Sequence, residues 1–235
     1  MSNTSVSIRS IQTGRVELFG TGKHKSAIIK QRVTVPVLLS HTGLEGDEQA
    51  DKRHHGGKEM ALHQYPFEHY EAWQRDYPES SDLFVEPGMF GENITTLGMT
   101  EESVCIGDIY RIGSAIAQVS QGRQPCWKLN VRFKIADMAM KLQETGRTGW
   151  YYRVLEPGFI AEGDEIRLEE RPNNNWPIAR VLHFLNEDCL CERSLRDIAS
   201  IKELSNSWSR IFERRLSRQK VEDWSSRVLT PDGEE

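Results

Sequence analysis

Cys126 is the side chain in this 235-residue chain best equipped to do chemistry. It stands in Ser120-Gln121-Gly122-Arg123-Gln124-Pro125-Cys126-Trp127-Lys128-Leu129, with Arg123 three residues before it and Lys128 two after. Nearby cations favour the thiolate over the thiol. A thiolate is both a nucleophile and a soft metal ligand. A second stretch, residues 43–61, holds four glycines among acidic and basic residues. Its paired Gly56-Gly57 would let backbone N–H groups approach an anion closely. Arg53, His55 and Lys58 add side-chain donors suited to a phosphate. The same composition also fits a polar surface loop in which Asp47 and Asp51 cap turns. His54, His55, His63 and His69 lie close in sequence but form no HExxH pattern, so the signal for zinc is weak.

These residues need a scaffold. The run Ala115-Ile116-Ala117-Gln118-Val119 reads as the strand that delivers Cys126 to the mouth of a sheet. Val6, Ile8 and Ile11 mark a first strand, and residues 26–30 and 35–39 mark two more. Residues 103–106 and 109–112 are expected to pair as a hairpin across Gly107-Asp108. A second turn, Gly163-Asp164, joins residues 159–161 to 165–168. Many short strands with glycine-marked turns imply a barrel or sandwich. Helices are expected over 66–76, where Phe67, Tyr70 and Trp73 share one face, and over 135–144, stopped by Gly146. Both apolar faces read as core.

The composition changes at Arg171-Pro172-Asn173-Asn174-Asn175-Trp176-Pro177, which reads as a linker. Beyond it lie helical patterns at 179–185, 188–201 and 205–217. The expected organisation is therefore a barrel domain over 1–170, a linker over 171–177 and a three-helix region over 178–227. Trp208, Ile211 and Phe212 must be buried against the barrel or against a second subunit, the latter giving a homodimer. Arg210, Arg214, Arg215, Arg218 and Lys220 read as a solvated basic face.

Composition narrows the function. The chain is 37% hydrophobic and 28% charged, ordinary for a globular protein. A net charge of −5 gives no electrostatic reason to expect nucleic acid as a partner. Four cysteines without a CxxC make neither a disulfide framework nor an iron–sulfur ligand set. No stretch reads as a signal peptide or as the ~20 apolar residues of a membrane span, so no membrane association and a reducing, cytoplasmic compartment are expected. A dinucleotide fingerprint is also missing, so the chain shows no nicotinamide site of its own.

Taken together, G-L-x-G-D-x-x-A-D-x-x-x-H-G-G at residues 43–57, Phe90-Gly91-Glu92-Asn93, and Q-V-S-x-x-R-x-P-C-x-K-L at residues 118–129 resemble the MOSC domain, named for the C-terminal part of molybdenum-cofactor sulfurases. The helical region after residue 177 resembles the three-helix extension of the stand-alone bacterial YiiM subgroup. The resemblance covers nearly the whole chain and implies a mainly β fold with added helices: a MOSC-type β-barrel followed by a small three-helix region. It implies a molybdenum–molybdopterin cofactor; pyridoxal phosphate is not expected. Cys126 matches the family's metal-coordinating cysteine. His55, Gly56, Gly57, Asn93, Ser120 and Arg123 fall on its motifs, Arg53 and Lys128 beside them. Lys23 and Ser26 resemble the subgroup's first motif. Asp47 and Asp51 are expected to orient His55 or Arg53 rather than touch the cofactor. The activity implied is reduction of N-hydroxylated compounds, such as hydroxylamino-purines and related hydroxylamines, to amines. A separate flavin or iron–sulfur reductase would supply electrons, and His55, Asp51 or Lys23 a proton. The alternative is a non-catalytic carrier of molybdenum cofactor; a further one is a hydrolase or transferase with Cys126 as nucleophile.

Overall fold

The structure is a computed structural model that describes residues 6–51 and 56–234. Among these, nine strands form one curled sheet. Its order is Val6–Ser7, Glu165–Glu170, Ile109–Ile112, Ala115–Gly122, Trp150–Glu156, Leu62–Pro66, Ile94–Thr96, Ser10–Thr13 and Gln31–Val33. All neighbours run antiparallel except Leu62–Pro66 with Ile94–Thr96. Gly158–Ile160, Val37–Ser40 and Gly43–Leu44 make a smaller sheet, and Glu17–Phe19 pairs with His24–Ser26. The helices are α1 (Glu68–Asp76), α2 (Lys128–Phe133), α3 (Met138–Thr145), α4 (Ile178–Asn186), α5 (Glu192–Ala199), α6 (Asn206–Arg218) and α7 (Ser225–Val228). This is the mainly β fold with a C-terminal helical region, its barrel drawn as a curled sheet.

The longest strand carries the site. Ala115, Ala117 and Val119 alternate inward, as period-two patterning requires. Between Val119 and Gln121 the pairing shifts by a bulge. Beyond it Ser120, Gln121 and Gly122 are all buried, with Gln121 opposite Tyr151 and Gly122 opposite Trp150. A bulge re-aims a strand end; here the chain leaves the sheet at Gly122 and turns through Cys126 into α2.

Two local expectations differ from the structure. The hairpin turns at Gly113-Ser114 and not at Gly107-Asp108: Ile109–Ile112 pairs with Ala115–Gly122. Asp108 explains this: its buried carboxylate accepts the Cys105 N–H at 2.9 Å and bonds Arg171, folding residues 105–108 into a turn whose backbone bonds Val119 and bridges to Pro177 instead of closing on residues 109–112. Likewise, residues 27–30 are not a strand; they cross the mouth of a cleft.

One apolar cluster runs through the sheet and into the helical region, joining Ile112, Ala117, Val119 and Trp150 to Ile178, Leu182, Leu195, Trp208 and Phe212. A Cβ on Gly122 would stand 2.9 Å from the Trp208 ring and 3.2 Å from Ile178, so only glycine lets these helices sit against the strand end. The stripe of α6 is thus buried on the chain's own sheet. Residues 171–177 are fastened: Arg171 bonds Asp108 at 2.6 and 2.9 Å, and the backbone pairs Ile106 with Trp176 and Ile178 with Val104. Arg215, expected on a solvated face, is fully buried and donates to the carbonyls of Phe184 and Leu185 at 3.2 and 2.8 Å. A second, aromatic cluster of Tyr65, Tyr70, Trp73, Phe84, Phe90 and Phe133 supports the cleft from below. No helix among the described residues is long and apolar enough to cross a membrane.

Candidate functional site

Cys126 lines a cleft open to solvent. Segments from across the chain line it: Ser26 to Lys30, Asp47 to Asp51, Phe90 to Asn93, and Arg123 with Cys126 and Lys128. Met60, His63 and Tyr151 complete it.

Asp47 organises one wall. Its side chain is 2% exposed and accepts from the Gly14 N–H at 2.7 Å, from Asn93 Nδ2 at 2.9 Å and from Lys30 Nζ. Asn93 in turn accepts the His63 N–H at 3.0 Å. Asp47 thus holds Lys30 and Asn93, while the partners expected of it, His55 and Arg53, lie outside the described residues. Removing one partner of a buried pair leaves an uncompensated charge and costs about 3–5 kcal/mol. Asp47→Ala is therefore expected to lower unfolding stability by that amount in a guanidinium titration. Adding Lys30→Met should restore part of it.

The Phe90-Gly91-Glu92-Asn93 turn divides its work. Glu92 is buried and accepts the N–H groups of Gly88 and Phe90, fixing the turn. Phe90, Gly91 and Asn93 face the cleft. Gly91 has φ 76°, and a Cβ there would lie 2.9 Å from Ile28.

The opposite wall is cationic. Arg123 is 6% exposed, its backbone N–H bonds Gly149 O at 3.0 Å, and its Nη1 is buried without an acceptor. Tyr151 bonds Arg123; burial pushes the phenol up and Arg123 partly offsets this, so Tyr151 stays protonated. Arg227 from α7 also approaches Cys126. Burial pushes its guanidinium down to about 10, while Cys126 pulls the other way.

His63 is buried between these walls, with its ring 4.9 Å from that of Tyr151. Burial, then Arg123, holds it well below the usual histidine range, against weaker support from the Thr148 carbonyl. The unfolded chain therefore takes up this proton first on acidification. Stability is expected to fall as pH drops below about 6.5, by at most ~1.4 kcal/mol per pH unit for one proton. His63→Gln should flatten that slope in urea midpoints measured from pH 7 to 5.

Of the residues singled out from sequence, the structure brings Ser26, Asp47, Asp51, Asn93, Arg123, Cys126 and Lys128 to one cleft. Arg53 and His55 lie outside the described residues. Gly56 and Gly57 do not line the cleft; Gly57, at φ 94°, starts the turn that carries Met60 into it. Ser120 departs from expectation, because its hydroxyl is fully buried and donates to the carbonyls of Glu59 and Tyr151. Lys23 also departs: it sits in the turn after Glu17–Phe19, beside Gly233 of the C-terminal segment. Lys30, Tyr151 and Arg227 were not found from sequence, and His63 only as one of four clustered histidines.

Known proteins share this arrangement. The MOSC domain pattern matches residues 51–167, and the YiiM-like 3-alpha helix domain matches residues 176–219. Protein YiiM of Escherichia coli K12 is 42% identical over 221 residues, spanning 93% of this chain and 96% of that protein. A Gibberella moniliformis protein named a reductase is 44% identical over 173 residues, which span 73% of this chain and 30% of that protein. The crystal structure of Escherichia coli YiiM superposes with a TM-score of 0.82 at 34% identity, covering 97% of this chain and 100% of that one. That of Geobacillus stearothermophilus YiiM gives 0.77 at 34% identity over 90% and 99%. With both domain patterns matched in order and a relative 42% identical over 93% of its length, the chain belongs to the YiiM group of MOSC-domain proteins.

Proposed function

We propose that this protein is a molybdenum-cofactor-dependent oxidoreductase that reduces N-hydroxylated compounds to amines with electrons from a separate reductase. The observation that carries the reading is Cys126 in a cleft beside Arg123, whose buried Nη1 has no acceptor. A buried donor left unpaired costs about 1–3 kcal/mol, so it asks for an anion. Molybdopterin meets that demand with its phosphate, and a soft thiolate suits molybdenum. The residues present therefore fit the group. The reductase-named relative and the family's association with this cofactor favour redox chemistry over a carrier role.

In this reading Cys126 supplies the protein's sulfur ligand, and Arg123 and Lys128 hold anionic oxygens. Ser26 and the Gly91 turn line the cofactor's path, and Asn93, held by Asp47 and His63, keeps that turn in place. Arg53 and His55 add donors in this reading, whereas Gly56 and Gly57, which do not line the cleft, only turn the chain toward Met60. The bound cofactor supplies the two-electron redox chemistry. Tyr151, protonated at every working pH, donates a hydrogen bond to the substrate oxygen, whereas Asp51 at the cleft is the better placed acid for water loss.

The test is metal and pterin analysis of protein from a cofactor-competent host, followed by turnover of a hydroxylamino-purine with a chemical reductant. One molybdenum per chain with turnover is expected. Molybdenum without turnover would favour the carrier reading. Arg123→Ala should weaken cofactor retention about ten- to hundred-fold, for the loss of charge-assisted bonds of roughly 1.5–3 kcal/mol. Molybdenum per chain after extended dialysis measures it, and wild-type occupancy in that variant would remove Arg123 from the site.

A further inference from the structure

The peptide groups on both sides of Cys126 are fastened to a single residue near the far end of the chain. Arg227 Nη1 donates to the Pro125 carbonyl, and Nη2 donates to Gln143 Oε1 at 2.6 Å. The Arg227 carbonyl accepts the Trp127 N–H at 2.7 Å. Residues 123–126 lie outside regular secondary structure, and besides these bonds the Arg123 N–H donates to Gly149 O and the Cys126 carbonyl accepts the Leu129 N–H, each at 3.0 Å. The segment that delivers Arg227 is itself anchored. Asn130 Nδ2 donates to Val228 O at 2.9 Å and to Thr230 Oγ1 at 3.1 Å. Glu234, 1% exposed, accepts from the Thr21 hydroxyl at 2.7 Å. The Arg227 guanidinium stacks 4.9 Å from the Trp224 ring. All of this lies beyond the matched 3-alpha helix domain, which ends at residue 219.

We propose that residues 220–234 form a clasp in which Arg227 is the positioning residue for Cys126, bracketing it through Pro125 and Trp127, so that docking of the C-terminal segment governs how firmly the cleft holds its cofactor. A ligand-bearing side chain must be held within about 0.5 Å of its productive position. Pro125 has no N–H of its own to bond, so its carbonyl is the handle available on that side of the cysteine. A guanidinium reaches that carbonyl and Gln143 together, which a lysine cannot. The positioning stands on the geometry alone; its effect on cofactor retention rests on the function proposed above.

Arg227→Ala, Arg227→Lys and Glu234→Gln separate the possibilities. In cofactor-free protein, hydrogen exchange of the Gln124, Cys126 and Trp127 amides is expected to quicken tenfold or more in Arg227→Ala. Arg227→Lys should fall between it and wild type, and Glu234→Gln, which loosens only the segment's tip, should stay near wild type. Exchange in the strand core, at Ala117 and Val119, should not change. In loaded protein, molybdenum per chain after dialysis should follow the same order. Wild-type exchange at residues 124–127 in Arg227→Ala would overturn the proposal, as would equal quickening through the whole chain, which would mean general destabilisation. Should Arg227→Ala not fold, Arg227→Lys carries the comparison alone. Wild-type protein that never holds molybdenum, with loop exchange still dependent on Arg227, would remove the proposed function and leave the clasp standing.

Discussion

Replacing Cys126 with alanine is expected to reduce turnover of a hydroxylamine substrate to the uncatalysed background, a loss of at least ~100-fold, while the protein stays folded. Truncating one thiol costs about 1–2 kcal/mol, within the usual range for a point substitution. Cys126 is 8% exposed, so its truncation leaves only a small cavity at the cleft edge. The chemical damage is larger because no other cysteine can substitute. Cys105 is buried, and burial followed by Asp108 pushes its thiol up, away from the thiolate. Burial pushes Cys189 the same way. Cys105→Ser is therefore the matched control and should keep most of the activity. Far-UV circular dichroism, molybdenum content and initial rate on the three proteins decide the matter. Normal turnover in the Cys126 variant would exclude the cysteine as metal ligand. Activity in metal-free wild type that vanishes in the variant would instead point to the nucleophile reading.

How much of this could be read before the structure depends on distance along the chain. Cys126, Arg123 and Lys128 were legible because they share one segment, and the FGEN turn through its resemblance to the family motif. Lys30, Tyr151 and Arg227 were not, and His63 showed only as one of four clustered histidines, since a loop, two strands and α7 bring them to Cys126 and its cleft only once the chain is folded. Proximity to a motif also misled. Ser120 lies six residues before the cysteine, yet the bulge after Val119 turns its hydroxyl to Glu59 and Tyr151. Arg215 shows the same limit on α6: periodicity gave the apolar stripe, but a charged side chain that satisfies two helix-end carbonyls and Glu222 is indistinguishable in sequence from a solvated one.

A chain ended at Arg171 is expected to lose the folded barrel and, with it, cofactor binding. From sequence, residues 1–170 seemed to hold both motifs and the complete barrel, so this truncation should have kept the cofactor. The packing argues otherwise. Ile178, Val181, Leu182, Leu185, Leu195, Ile198, Trp208 and Phe212 are all nearly inaccessible and belong to the same cluster as the sheet. Burying each such side chain contributes about 1.5–3 kcal/mol, and whole domains are stable by only about 5–15 kcal/mol. Losing the sheet-facing part of that set uncovers the strand end at Gly122, where Trp208, Ile178 and Leu182 lie against the backbone. It also removes Asn206, whose N–H bonds Glu59 at 2.9 Å, and Arg227, which brackets the cysteine. Denaturant melts and limited proteolysis of the truncated chain should show no cooperative transition. A milder cut after Gln219 keeps the shared core and removes only the clasp. It should melt cooperatively, but at a lower midpoint than the full chain because it also takes Glu222 from the buried Arg215, and it should hold cofactor poorly. A soluble, cooperative, cofactor-loaded protein ending at Arg171 would show that the sheet is complete without its helices and that the shared cluster is a contact between two independent units.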